Sequence, residues 1–376
     1  MKKIKIAIDA SRNRSGGAKI HLIEILNNFN YDRYNIKEIH LWSYHELLKE
    51  IPNYPWLVKH VPLKNPSILK ELFWQYFIFP KALKKLKVDI LLNSSAATIC
   101  YFKPNVTMSR NMLSFEKGMI KKSGFSIGRI RLILLKYIQK ISLKNANGAI
   151  FLTNYASKSI QSFTGKLENV KIINHGISNI FFAKELKNVE RKKLKCVYVS
   201  TIDFYKHQSN VVKALSQFES GTIELILAGG LGSGTPALMS KKKLDETIKN
   251  LGHKSDFVKV LGHIPHSKLP ELYKNSDIVI FASSCENMPN TLVEGMASGL
   301  PIACSNRGPM PEILQDGGTY FDPENIDSIY HAIKTLVDNY SKRLSFSKKS
   351  YSLSKNFSWE KCSKETFDFL IKSLKH

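Results

Sequence analysis

The chain has no run approaching the ~20 consecutive apolar residues that a membrane-spanning helix requires. Its opening, "MKKIKIAIDAS", begins with charges as a signal peptide does, but the apolar run is short and Asp9 interrupts it. The segment reads as a first β-strand and predicts a cytoplasmic protein. Cysteines are few and unpaired in spacing: the five of them (Cys100, Cys196, Cys285, Cys304 and Cys362) are odd in number and scattered. That argues against both a disulfide framework and a zinc site. Repeats and disorder-type composition are absent as well. Acids are scarce, with 31 Asp and Glu against 56 Lys and Arg, for a net charge of +25.

Such an excess of cations suits nucleic acid, an anionic membrane surface or a phosphorylated ligand. The basic runs "KALKKLK" (81–87), "KGMIKKSGFSIGRIRLILLKYIQK" (117–140) and "ERKKLK" (190–195) are the densest, and "FWQYFIFP" (73–80) places aromatics beside the first. Basic residues among exposed aromatics would fit a bilayer interface. The plainer expectation for any one of these helices is an Ile/Leu face packed inward and lysines solvated outside.

Short apolar runs alternate with helical patterns along the whole chain. "IKIAIDA" (4–10), "VDILLNS" (88–94) and "GAIFLTN" (148–154) read as strands of one half. "KCVYVST" (195–201), "IELILAG" (223–229), "VKVLGH" (258–263), "DIVIFAS" (277–283), "PIACS" (301–305) and "GTYFD" (318–322) read as strands of another. Strand–helix–strand alternation implies parallel sheets covered on both faces. Two doubly wound domains are therefore expected, with a boundary in the charged stretch "FFAKELKNVERKK" (181–193): an N-terminal domain over 1–185, a second over 186–355 and a C-terminal amphipathic helix over 356–376. Ligands of open parallel sheets bind beyond the carboxyl ends of the strands, so two facing domains predict a ligand in the cleft between them.

One stretch carries chemistry: "CENMPNTLVEGMASGLPIACS" (285–305). Glu286 and Glu294 are separated by seven residues that are otherwise small, apolar or amide-bearing. A strand ending near Ser283 leads through a loop into a short helix from about Asn290, with Gly299 placed as its C′ residue. The helix N-terminus suits phosphate oxygens, and a carboxylate beside it can hold ribose hydroxyls through charge-assisted hydrogen bonds. One glutamate alone would do no more than complement the helix dipole, worth ~0.3–1 kcal/mol; two in this frame fit that account poorly.

This block, with "GMASGLPIACSNRGPMPEIL" and "GGTYFDPEN" after it and "LGHIP" and "LYKNSDIVIFAS" before it, resembles the nucleotide-sugar site of retaining glycosyltransferases of family 4. The resemblance is specific over 258–325 and weaker elsewhere, in "SRNMLSFE" (109–116), "FLTNYAS", "HGI" (175–177) and "FSW". It implies an α/β protein of the GT-B fold: two facing doubly wound Rossmann-like domains, with the C-terminal helix crossing back to the N-terminal domain.

The resemblance also implies roles. Glu286 would contact the transferred sugar, with main-chain groups of Asn287, Met288, Pro289 and Asn290; Glu294 would hold the ribose, and Thr291 would touch the diphosphate. In "VYVSTIDFYKHQ", Lys206 keeps the family's diphosphate lysine, but Ser200 and Thr201 stand where the family usually has Gly-Arg. Gly16 and Gly17 follow the first strand where the family's loop borders the donor; without a full Gly-x-Gly-x-x-Gly pattern they are equally an ordinary turn. Arg110 and Asn111 fall where relatives often carry a His, which offers Arg110 for charge stabilisation on the acceptor side. His21 reads as structural. His263 and Ile264 would offer main-chain contacts to the nucleobase.

The implied activity is retaining transfer of a hexose-type sugar from a nucleoside-diphosphate sugar to a glycan, with a lipid-linked acceptor at the inner face of the cell membrane, in cell-envelope polysaccharide synthesis. The absence of an Asp-x-Asp motif at a strand end agrees with metal independence, and no cofactor beyond the donor substrate is implied. Glu286 orients sugar rather than attacking it, since no second carboxylate is visibly paired with it as in glycosidases. Two alternatives stay open. A nucleic-acid-binding protein rests on charge alone, without a helix-turn-helix, zinc or RNA-binding signature. An impaired family member acting as a scaffold would account for the missing Gly-Arg pair.

Overall fold

The computed structural model describes residues 3–13, 16–63, 67–122, 127–183 and 191–374. The chain forms two compact units, one of Met1–Gly176 with Ser358–His376 and one of Ile177–Phe357.

In the first unit seven strands, β1 (Ile4–Asp9), β2 (Ile36–Trp42), β3 (Leu57–His60), β4 (Ile90–Asn93), β5 (Asn105–Ser109), β6 (Gly148–Phe151) and β7 (Val170–Ile172), form one sheet. Its order is β3-β2-β1-β4-β5-β6-β7. In the second, β8 (Leu194–Val199), β9 (Ile223–Ala228), β10 (Val258–Gly262), β11 (Ile278–Phe281), β12 (Ile302–Ser305) and β13 (Gly318–Phe321) form a sheet in the order β10-β9-β8-β11-β12-β13. Every pairing between these strands is parallel. Central strands such as β4, β6, β11 and β12 are buried at every position, as parallel strands covered on both faces must be.

The topology places the functional loops. Strands β8, β9 and β10 run outward in one direction and β11, β12 and β13 in the other, so β8 and β11 flank a switch point where the loops leaving their carboxyl ends diverge. The first unit has its own switch point between β1 and β4.

The passage between units falls at Gly176–Ile177, ahead of the charged stretch. Residues 177–183 already pack within the second unit: the Ala183 amide donates to the Ala297 carbonyl at 3.0 Å, and the Phe181 ring lies 5.0 Å from His266. Residues 184–190 of that stretch lie outside the described residues. The final helix, Trp359–Ser373, returns to the first unit against the Gly16–Asn27 helix and strands β5 and β6. Gly176 permits the return: a Cβ there would sit 2.1 Å from the Trp359 amide nitrogen. Among the described residues no helix is long and apolar enough to cross a membrane.

Candidate functional site

The site in the second unit is built from three loops. The loop after β8, Ser200–His207, is folded onto itself by Gln208, whose Nε2 donates to Ser200 Oγ (2.9 Å) and to the Thr201 carbonyl (2.8 Å). It is tied to the loop after β11 as well: the Ser284 amide donates to the Tyr205 carbonyl at 2.8 Å, and His207 Nε2 lies 2.8 Å from Ser284 Oγ. His207 adopts a left-handed conformation (φ 52°) at the turn into the next helix. Gly229, after β9, lies so close that a Cβ there would stand 1.9 Å from the Ser200 carbonyl oxygen.

These ties bring Lys206 and Glu286 together across the switch point. The Lys206 ammonium donates to Glu286 Oε1, with both side chains mostly buried. The Lys206 carbonyl accepts from the buried Tyr198 hydroxyl at 2.8 Å, and its Nζ lies 5.1 Å from the Tyr205 ring centroid. Burial, with the Glu286 charge beside it, pushes the Tyr198 phenol up, so it stays a donor at neutral pH.

The Asn290–Ala297 helix starts at Pro289 with no side-chain cap. The Asn290 amide donates to the Met288 carbonyl at 3.1 Å and those of Leu292 and Val293 to the Pro289 carbonyl at 3.0 and 3.2 Å, so what the helix start offers an anion is chiefly the positive end of its dipole. It lies close to the sheet because Gly295 faces Val279, whose methyls would be 3.1 Å from a Cβ. Glu294 is on the buried side. Its Oε1 is 2.8 Å from His266 Nε2, while Oε2 is buried with no hydrogen-bond partner among the described residues. A buried carboxylate oxygen without a donor is costly and marks a place where a ligand hydroxyl can donate. Lys206, the helix N-terminus and Glu294 thus supply a cation, a positive dipole end and a hydroxyl acceptor on neighbouring loops.

Residues 179–353 match the family model described as glycosyl transferases group 1. The second unit is a glycosyl transferases group 1 domain. Similar proteins include the O-antigen chain mannosyltransferase B of Escherichia coli, 30% identical over 176 residues, 46% of this chain and 44% of that protein. The amylovoran biosynthesis glycosyltransferase AmsD of Erwinia amylovora is 21% identical over 98% of this chain and all of its own length (100%). For the first of these relatives and others like it, the match spans about half of their length or less. Among solved structures, Anabaena Alr3699/HepE in complex with UDP and glucose superimposes with a TM-score of 0.75 at 18% identity, covering 98% of this chain and 100% of that one. The neighbours are GT-B glycosyltransferases, and the fold of this chain is GT-B.

Within the group 1 domain the sequence-predicted residues divide into two sets. Lys206, Glu286, Asn287, Met288, Pro289, Asn290, Thr291 and Glu294 sit on the two loops flanking the switch point or the helix that follows. Thr291 is engaged through its carbonyl, which accepts from Tyr273 at 3.1 Å. His263 and Ile264 follow β10 at the sheet edge, and that loop reaches Glu294 through His266. His266 escaped the sequence reading; its only signal was a second histidine in the turn "HIPHSKL". Thr201 is exposed, and it and Ser200 are held by Gln208 where the family usually has Gly-Arg.

Arg110, Gly16 and Gly17 belong to the first unit. Gly16 and Gly17 open the Gly16–Asn27 helix, which starts two residues earlier than expected. Arg110 Nη1 donates to the Ala18 carbonyl in its first turn at 3.2 Å and Nη2 to Asn13 Oδ1, tying the helix start to Asn13. Asn13, fully buried, is the hub: Ser94 Oγ lies 3.0 Å from its Oδ1, and its Nδ2 donates to the Ala18 carbonyl at 3.3 Å. Burial pushes the Arg110 guanidinium down to about 10, which still leaves it a cation at neutral pH. Gly16 has φ +60°, a conformation that favours glycine. His21 is buried in a stack with His175, ring centroids 4.6 Å apart.

Proposed function

We propose that this protein is a retaining glycosyltransferase that moves a hexose-type sugar from a nucleoside-diphosphate sugar to a glycan acceptor. The observation that carries the reading is the juxtaposition of Lys206 and Glu286 across the β8–β11 switch point, with Oε2 of Glu294, unpartnered among the described residues, on the adjoining helix. The family match supports it, as does the capture of HepE, a protein of the same fold, in complex with UDP and glucose.

In this reading the donor diphosphate takes Lys206 and the positive end of the Asn290–Ala297 helix dipole. The ribose donates a hydroxyl to Glu294 Oε2, and Glu286, released by Lys206, accepts from the sugar. The bond between the anomeric carbon and the diphosphate oxygen breaks with its electron pair staying on the diphosphate. Lys206 and the helix dipole stabilise the charge that develops there. The acceptor hydroxyl forms the new bond on the same face and gives its proton to a leaving-group oxygen. No second carboxylate is required for that sequence. The names of the two relatives, concerned with O-antigen and amylovoran, support a cell-envelope polysaccharide as product; the acceptor in this reading is a lipid-linked glycan.

The test is a thermal-shift titration of the whole chain with UDP, GDP, ADP and dTDP, repeated on Glu294→Gln. Stabilisation by one diphosphate that the variant loses is the expected result and identifies the base. No shift with any of the four would overturn the donor site and favour a scaffold role.

A further inference from the structure

The sequence leaves open which way two apolar, basic segments of the first unit turn. The plainer expectation packs their Ile/Leu faces inward; the structure turns large apolar side chains out. Along the Ile127–Asn145 helix, Ile130, Leu134, Tyr137 and Ile141 form an exposed stripe at helical spacing, with Ile130 and Ile141 each 60% exposed. On the opposite side Leu132 and Leu135 are half-buried and Gln139 and Leu143 are buried, so the helix is apolar on its outer face as well as its inner one. The helix contains no Asp or Glu, and Arg131 and Lys144 are exposed on it.

The second segment is continuous from Ile68 to Lys85, with a π-helical turn at Trp74–Ile78. It packs Trp74, Phe79 and Leu83 into the core beside Trp42 and Phe102. Outward it shows Leu69 (79% exposed), Phe73 and Phe77. Its one acid, Glu71, is buried against Arg12 at 2.9 Å, so its outer side carries lysines and no negative charge. Connections β3 to β4 and β5 to β6 cross the sheet in the same direction. Right-handed crossovers therefore place both segments on one face of the sheet, opposite the Gly16–Asn27 helix.

Contiguous exposed apolar stripes mark an interaction surface. The occupant must accept large side chains in depth and present negative charge around them. A second copy of this chain does not: at a net charge of +25, two copies repel. An anionic bilayer supplies both properties, phosphates for the lysines and arginines and an acyl boundary for the Ile, Leu and Phe side chains. We propose that these two segments are a bilayer-docking surface, which stands independently of the donor site.

Binding of the whole chain to vesicles of phosphatidylcholine, with and without phosphatidylglycerol, tests this by sedimentation. Strong binding is expected only with phosphatidylglycerol. The triple change Ile130→Ser, Leu134→Ser and Ile141→Ser is expected to weaken it about tenfold or more with an unchanged melting temperature. The five native cysteines are buried, so Tyr137→Cys can be labelled selectively with a polarity-sensitive dye. Its emission should shift to the blue on anionic vesicles, even if the triple variant folds poorly. Equal binding by the apolar variant, an unshifted dye, absence of binding, or self-association abolished by the same changes would each overturn the proposal.

Discussion

His266 Nε2 stands 2.8 Å from Oε1 of Glu294 and so orients the carboxylate whose other oxygen is buried without a partner among the described residues. Glu294→Gln is expected to raise KM for the nucleotide sugar by roughly 10–100-fold with a smaller effect on kcat, since a charge-assisted hydrogen bond is worth about 1.5–3 kcal/mol. His266→Ala should shift KM in the same direction and less. Steady-state kinetics on the two variants decide it; an unchanged KM in both would remove Glu294 from the donor site.

The Lys206–Glu286 pair separates stability from catalysis. Lys206→Ala leaves Glu286 largely buried and unpaired, so both melting temperature and activity should fall, with kcat/KM down by about 10²–10³. Replacing both, as Lys206→Met with Glu286→Leu, should recover much of the melting temperature and none of the activity. Recovery of activity along with stability would show that the pair is structural only.

Gly229→Ala tests how the loop after β8 is held. The added Cβ would meet the Ser200 carbonyl oxygen at 1.9 Å, so the backbone must move. A loss of about 1–3 kcal/mol is expected, as for overpacking elsewhere, together with weaker nucleotide binding because Ser200 begins the loop that carries Lys206. Denaturant unfolding with and without the diphosphate measures both.

Acid should destabilise the first unit from near neutrality. Burial, then the charges of His175 and Arg110, hold His21 well below its ordinary value, and burial also lowers His40 and His60. Below about pH 6.5 the unfolded chain takes up protons that the folded one refuses, so stability is complete above that pH and falls beneath it. Each such histidine contributes a slope of up to ~1.4 kcal/mol per pH unit. His21→Phe should flatten the dependence between about pH 7.5 and 5.5, the range around the ordinary histidine value; an unaltered profile would mean that His21 does not contribute.

Strands were legible where short runs rich in apolar residues mark them: β1, β4, β6 and all six strands of the second sheet fall within the runs read from the sequence, to within a residue at their ends, even the exposed edge strand β10. Four others were not. β2 interleaves Lys37, Glu38 and His40 with its apolar residues. β5, "NVTMS", is buried at every position yet polar at Asn105, Thr107 and Ser109, because Asn105 and Thr107 join Asn93 in a side-chain network that no apolar pattern announces. β3 and β7 lie at the two edges, short and half-exposed. In the site, the acidic block was readable because strand, loop, helix and Gly299 follow one another locally. The bond from His266 to Glu294 spans 28 residues and became visible only when the fold joined the two loops.

Because Trp359–Ser373 completes the sheet covering of the first unit, that unit is assembled from two segments with the whole second unit between them in the chain. A ribosome delivers the whole of Ile177–Phe357 before the helix that seals strands β5 and β6. The later-encoded unit is thus free to fold first as an uninterrupted segment, while the earlier-encoded one waits, with its Gly148 flank open until Phe369 and Ser373 arrive against it. A chain stopped before Trp359 would therefore leave the earlier unit open while the later one is whole.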